Sequence, residues 1–396
     1  ELWSWKGRDG FWDFNFLMLF NRFALHQGYR VEWEKYLGII YSKLMAIVEL
    51  QIGSLPNNMG SHPPASATGF FIPYDMCWGE ATHFGSGLVV QLLSSRHPES
   101  FAFLRKLVHA VDMFYHPAQS QEQTFLTDLM DGLCYRYTLR LNDERDGLRS
   151  HLAPRDDYLQ QADNDSFTEI MIPLVVKAIF SEFPPLRQFS FLALKYLSAI
   201  SPSLVLDPLM KSTDGCVDNL TETHRAPSAL TAWSFAVRPM LREKGAAERL
   251  MTFLPDLPSA MLSVDEEKSN AAFLLLGLVL ECVPFFPCDE SHPDFLDLPE
   301  RERLALSQFN ACIEDVAIAS FDSCITFVQN LVPSDSRENM LSDNFHRVMS
   351  LLVCQVSPEI RDRMVNTLFE MTFNSMNMTV VTSMSAVVGY ITMSTQ

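Results

Sequence analysis

Positive charge is scarce in this chain of 396 residues: 30 Lys and Arg stand against 48 Asp and Glu, a formal net charge of −18. A nucleic-acid groove or an anionic-membrane patch needs clustered cations, so neither partner is expected. Glycine is also scarce, at 16 residues; that is about 4% where ~7% is typical, too few for the tight turns of an all-β or Rossmann-rich chain. The eight cysteines occur singly, without a CxxC pair or zinc-ligand spacing, so buried reduced thiols are expected rather than disulfides or a metal centre. Walker, HExxH, GxSxG and complete GxGxxG motifs are missing; Gly85-Ser86-Gly87 is a fragment of the last and reads as a glycine-rich loop, with Ser86 beside His83 a remote nucleophile and base. Long apolar runs are missing too. Ala271–Leu280 ends at Glu281 and Pro284, too short to cross ~30 Å of hydrocarbon, and the uncharged stretch Thr372–Gln396 carries Asn, Ser and Thr that lipid would leave unpaired. Both read as core helices.

What the chain does have is apolar residues, 47% of the total, with 11% aromatics, enough for a substantial core. They recur with helical spacing. Trp33, Leu37, Ile40, Leu44 and Ile47 line one face, ended by Gly53 and Pro56; Phe11–Leu25 precedes them, and Gly28 separates the two into a helical hairpin. Phe101–Phe114 and Phe125–Leu141 form a second pair around His116-Pro117, and Phe167–Phe180 with Leu186–Ile200 a third around Pro184-Pro185. Pro227–Leu241, Lys268–Val283, Leu304–Leu331, Phe345–Val356 and Ile360–Phe373 continue the series, the last behind Ser357 and Pro358 as N-cap and first residue. No strand is predicted. Paired helices every ~40 residues, without strict identity between copies, predict an all-α fold: an α-solenoid of HEAT or armadillo type over 1–396, the interior part of a longer polypeptide. Residues 54–87 are expected to be a flexible insertion loop, and 142–165, 211–224 and 288–298 further loops.

Few residues invite chemistry. His97, His109, His116 and His151 lack metal-ligand spacing and read as solvated. The pairs Asp143-Glu144, Asp156-Asp157, Asp265-Glu266-Glu267 and Asp289-Glu290 fall in predicted loops or helix ends, where they are hydrated. The triplets at Asn164, Asn219 and Asn377 match the glycosylation pattern by chance. Arg136 and Arg140, four apart on the face opposite Leu133 and Tyr137, could present two guanidiniums to an anionic ligand, with Arg145 and Arg149 beyond; Arg238 and Arg242 repeat the spacing. The competing reading of the pair is a solvated face partly paired with Asp143 or Glu144. With no catalytic or metal site assembled, the chain is read as a binding protein, not an enzyme, with no cofactor required.

The order of segments resembles a known family. Leu2-Trp3, Trp12-Asp13, the Leu19–Ala24 helix and Gly28-Tyr29 before Trp33 are similar to the central region of the large single-chain proteasome activators of the bleomycin-sensitivity type. Tyr115-His116-Pro117, with Ala118 where Ser is usual, looks like that family's aromatic-His-Pro-Ser turn. Ser201–Leu206 followed by Leu220–Arg225, with Thr223 in place of Pro, is similar to its paired signatures. Leu254-Pro255 through Phe273 and Val283-Pro284 follows the same order.

The resemblance implies a HEAT-like dome that caps the α-subunit ring of the core proteasome particle and opens its gate without ATP or ubiquitin, favouring peptides and unfolded or acetylated proteins. Acetylated histones are implied as partners, inositol phosphate as a possible ligand, the nucleus and cytoplasm as locations, and DNA repair as a context. The family's gate opening depends on a C-terminal aromatic motif that Tyr390-Ile391-Thr392 does not match, so this segment is expected to supply wall rather than key. Periodicity by itself equally allows a HEAT-repeat nuclear transport or adaptor scaffold with an acidic surface for basic cargo.

Overall fold

The computed structural model describes residues 10–27, 30–48, 74–94, 97–115, 124–149, 155–216, 224–241, 254–282, 300–330, 345–354, 356, 358–375 and 378–394. Among these there is no strand. The helices are α1 (Gly10–Gln27), α2 (Glu34–Val48), α3 (Tyr74–Leu92), α4 (Pro98–Val111), α5 (Thr124–Arg145), α6 (Gln161–Ala178), α7 (Pro184–Ile200), α8 (Pro202–Thr213), α9 (Arg225–Met240), α10 (Leu257–Met261), α11 (Glu266–Cys282), α12 (Glu300–Gln329), α13 (His346–Cys354), α14 (Pro358–Asn374) and α15 (Met378–Ser394).

Two compact units divide the chain, residues 1–212 and 213–396. In the first, the closest helix approaches run between alternate helices: α1 on α3, α3 on α5, α5 on α7, with α2 on α4 and α4 on α6 beside them. In the second, α9, α11, α13 and α15 form the same kind of row, and α10 lies against α12. Two rows of stacked helices, each element burying one stripe against its neighbours, are the α-solenoid that the periodicity predicts. The hairpins are less uniform than expected. α6–α7 and α14–α15 pack closely as sequential pairs, whereas α1 leans chiefly on α3 and α2 on α4.

Start signals act as their chemistry requires. Pro98 opens α4 and Pro184 opens α7, positions where the missing N–H costs nothing. Asp163 accepts from the Gln160 backbone N–H at 2.9 Å, one half of a capping box at the start of α6. Asp265 Oδ1 accepts from the N–H groups of Glu267 and Lys268 at the start of α11. That acidic triplet is therefore a helix cap as well as a hydrated surface.

Seams are built from the predicted apolar stripes. Trp33, Leu37, Ile40 and Leu44 are buried, as are Leu104, Leu107, Val108 and Val111. Tyr137 stacks on Phe167 with ring centroids 4.0 Å apart and planes 8° from parallel. The Tyr137 hydroxyl donates to Asn164 Oδ1 at 3.1 Å; Asn164 is buried, which closes it to glycosylation. The apolar run of α11 is core, with Phe273, Phe327 and Phe345 gathered in one aromatic cluster. In α15, Val380, Met384, Val387 and Ile391 are buried. No described helix is long and apolar enough to cross a membrane.

Several expected loops are helical in part. Residues 74–87, inside the span 54–87 read as a flexible insertion, belong to α3; the remainder of that span, 54–73, lies outside the described residues. The span 142–165 narrows at both ends because α5 runs to Arg145 and α6 starts at Gln161. Residues 211–213 belong to α8, which follows α7 directly and accommodates Pro208. The span 288–298 lies outside the described residues.

Candidate functional site

The sequence directs attention to α3 and α5, which carry a serine, a histidine and two arginines. Gly85, Ser86 and Gly87 are not a loop but the middle of α3, and the reason is close approach. A Cβ on Gly87 would sit 2.8 Å from Asn21 Oδ1 of α1, one on Gly85 2.7 Å from Leu44 Cδ2 of α2, and one on Gly132 of α5 2.5 Å from Ser86 Oγ. Small residues on α3 and α5 let α3 meet three other helices at short range. Ser86 is fully buried, and its hydroxyl donates to the backbone carbonyl of His83 at 2.8 Å. The His83 ring instead faces Arg136, whose Nη2 donates to Nε2. The two are therefore not arranged as nucleophile and base.

Arg136 and Arg140 part company. Arg136 is half-buried on the flank of α5, where burial draws its pKa below the ordinary arginine value. Arg140 is buried, 5% exposed, because it stands seven residues after Leu133 and so on the same helical face, not the opposite one. Its Nε donates to Glu144 Oε1 at 2.6 Å. Nη1 donates to the carbonyls of Val90 and Leu93 at 2.6 and 2.7 Å, and Nη2 to that of Asp157 at 3.1 Å. Arg140 thus caps the C-terminal end of α3, where carbonyls lack helical partners and cations are favoured. All three guanidinium nitrogens are committed to protein, so the pair does not converge on a phosphate, and the anionic-ligand reading of Arg136 with Arg140 does not fit the structure.

Glu144, expected to be hydrated, is buried. Its Oε2 accepts from the N–H of Leu159 at 2.7 Å, and Arg149 Nη1 stands 3.6 Å from Oε1. Arg149 Nη2 donates to Gln91 Oε1 at 2.6 Å, and burial together with Arg140 pulls the Arg149 pKa down to about 10. One carboxylate and two guanidiniums fasten the end of α3 and the start of α6 to α5. A second charged clamp runs along the other unit: Glu281 of α11 accepts from Arg238 of α9 at 2.7 Å and from Arg347 of α13. Hydrogen bonding to Arg347, then its charge, with Arg238 adding to both, holds the Glu281 carboxyl below its ordinary value.

The described histidines stand apart from one another. His109 is exposed, and His97 Nδ1 lies 3.2 Å from Glu34 Oε1; His116 and His151 lie outside the described residues. No group of three or more His, Cys, Asp or Glu among the described residues could hold a metal ion. Cys134, Cys216 and Cys324 are buried free thiols, and burial pushes the Cys134 and Cys324 pKa values far up, away from reactivity. Cys282 and Cys312 are partly exposed, against the expectation of uniform burial.

One feature gave no motif to find. On α5, Asp128, Asp131 and Tyr135 share a face at i, i+3 and i+7, and Tyr135 meets Tyr196 of α7 with centroids 5.8 Å apart and rings tilted 52°. Burial raises the pKa of both aspartates, and the charge of Asp128 raises Asp131 further. Asp131 Oδ1 has no accessible surface and no hydrogen-bond partner. Only the periodicity of α5, applied to acidic rather than apolar residues, could have pointed to it.

Comparison with known proteins agrees with this picture of stacked helical repeats. The family model described as Proteasome activator complex subunit 4, mid HEAT repeats region, matches residues 104–395. Proteasome activator complex subunit 4 of Xenopus laevis and of Homo sapiens are each 25% identical to the chain over 348 residues, covering 86% of it. Subunit 4A of Danio rerio is 23% identical over the same share. The chain spans 18% of the length of each of these relatives. With most of its length, from Leu104 onward, matching the family model, the chain belongs to the mid HEAT-repeat family of proteasome activator complex subunit 4.

Proposed function

We propose that this chain is a wall segment of a proteasome activator: a non-enzymatic stretch of HEAT-type helices within a dome over the α-subunit ring of the core particle, promoting degradation of peptides and unfolded or acetylated proteins without ATP or ubiquitin. The observation that carries this reading is the family match over residues 104–395, joined to stacked helix rows whose buried charges Arg140, Glu144 and Arg149 are spent on packing. Buried charge in a catalytic centre is aimed at substrate. Here Arg140, Glu144 and Arg149 are aimed at backbone and at one another. Nuclear and cytoplasmic residence and a role in DNA repair accompany the proposal.

Binding to purified core particle tests it. On native gels the chain should co-migrate with the core particle and compete with a full-length activator for its ends, lowering activator-stimulated hydrolysis of a fluorogenic peptide. Absence of both co-migration and competition at micromolar concentrations would falsify the proposal.

A further inference from the structure

The outward face of α5, with the adjoining edge of α7, carries charge that no described residue answers. Asp128 and Asp131 form no ion pair or hydrogen bond with any described residue. Arg136, next along the helix, is turned to His83. A carboxylate held partly out of water without a cation is costly, and Asp131 bears that cost with one oxygen already enclosed and unpartnered. Beside it stand two phenol rings, Tyr135 at 44% exposure and Tyr196 partly exposed, and one turn further along α5 lies the exposed Leu139.

A cation with an apolar stem answers both halves of this face. An ammonium or guanidinium neutralises the aspartates while its methylenes lie on the tyrosines, and the ring faces attract the charge as well. A hard divalent metal ion needs more oxygen ligands than two aspartates supply, and the described residues offer no group of three. We propose that the Asp128–Asp131–Tyr135–Tyr196 face docks a lysine or arginine side chain of a basic, extended polypeptide segment, with Leu139 meeting the residues that flank it. The warrant is charge complementarity, and the site stands or falls independently of binding to the core particle.

Fluorescence anisotropy with a labelled octapeptide of alternating lysine and glycine tests this on the full chain. Binding should weaken at least tenfold in Asp131→Asn and in Tyr135→Ala and remain unchanged in Asp214→Asn, which removes an equal charge in the other unit. It should fall with added salt and be lost when the lysines are acetylated. Because Asp131→Asn also removes an unpaired, partly desolvated charge, its melting temperature should not fall, so lost affinity cannot be ascribed to unfolding. Equal binding of the acetylated octapeptide, unchanged affinity in both site variants, or equal loss in Asp214→Asn overturns the site. Spermidine displacing the octapeptide at equal concentration overturns the choice of a polypeptide.

Discussion

At the scale of single residues, the buried charges decide the most. Arg140 serves one carboxylate and three backbone carbonyls at normal hydrogen-bond lengths, so truncating it strands acceptors from two segments at once. Arg140→Met should lower stability by about 3–5 kcal/mol, the range for breaking a buried pair from one side, read as a fall in the urea midpoint. Asp131 and Glu281 should respond to pH with opposite sign. The raised pKa of Asp131 means that its folded form favours the proton: its contribution is full below the ordinary value of 3.8 and is lost as pH rises through the folded value. Asp131→Asn should therefore match the wild type in acid and exceed it in melting temperature near neutrality. Glu281 is lowered, so its contribution is present above the ordinary 4.5 and is lost as pH falls through the folded value. Glu281→Gln should cost less than ~1 kcal/mol near neutrality, because the clamp is partly exposed, and nothing in acid.

The helix is the scale at which the sequence was most readable. Apolar spacing located eleven of the helices, with starts displaced by a few residues where Pro98, Asp163 or Pro184 sets the first turn. α3 escaped because Gly85 and Gly87 look like loop residues until the neighbouring helices are in place. Arg140 escaped because a guanidinium on an apolar face looks like a solvated one until the end of α3 arrives beneath it. Such signals lie in what a residue meets, not in its own stretch of chain. The same substitution should then act oppositely on two helices. Gly132→Ala places a Cβ 2.5 Å from Ser86 Oγ, and overpacking of that kind costs about 1–3 kcal/mol. In a Ser86→Gly background most of that cost should disappear, a coupling measurable by a double-mutant cycle. Gly389 of α15 has open space where its Cβ would be, so Gly389→Ala should raise stability by about 0.5–1 kcal/mol through helix propensity. Thermal melts of the single variants decide the sign in each case.

Across the whole molecule, alternate-helix packing makes the neighbour the unit of stability. In a stacked array each element is held chiefly by the ones beside it, so damage should stay near its source. Hydrogen exchange on Arg140→Met should show protection lost through α3, α5 and the start of α6, with the α11 amides, in the other unit, unchanged. Loss spread evenly through both units would instead mean one cooperative block. The solenoid class was legible at this scale because it depends on repetition, and repetition survives when identities do not: relatives at 25% identity fall in the same family. The acidic face of α5 was not, since its meaning depends on which cations fail to reach it.

The trio of Arg140, Glu144 and Arg149 has an implication for how such a chain can change. Neither guanidinium can be lost without leaving its acceptors dry, and the glutamate cannot be lost without setting two cations against each other beneath the end of α3. Replacing the set with greasy side chains is harmless only once all of it has gone. Single steps lead downhill from both sides, so descent can retain the three together or discard them together, with little ground between.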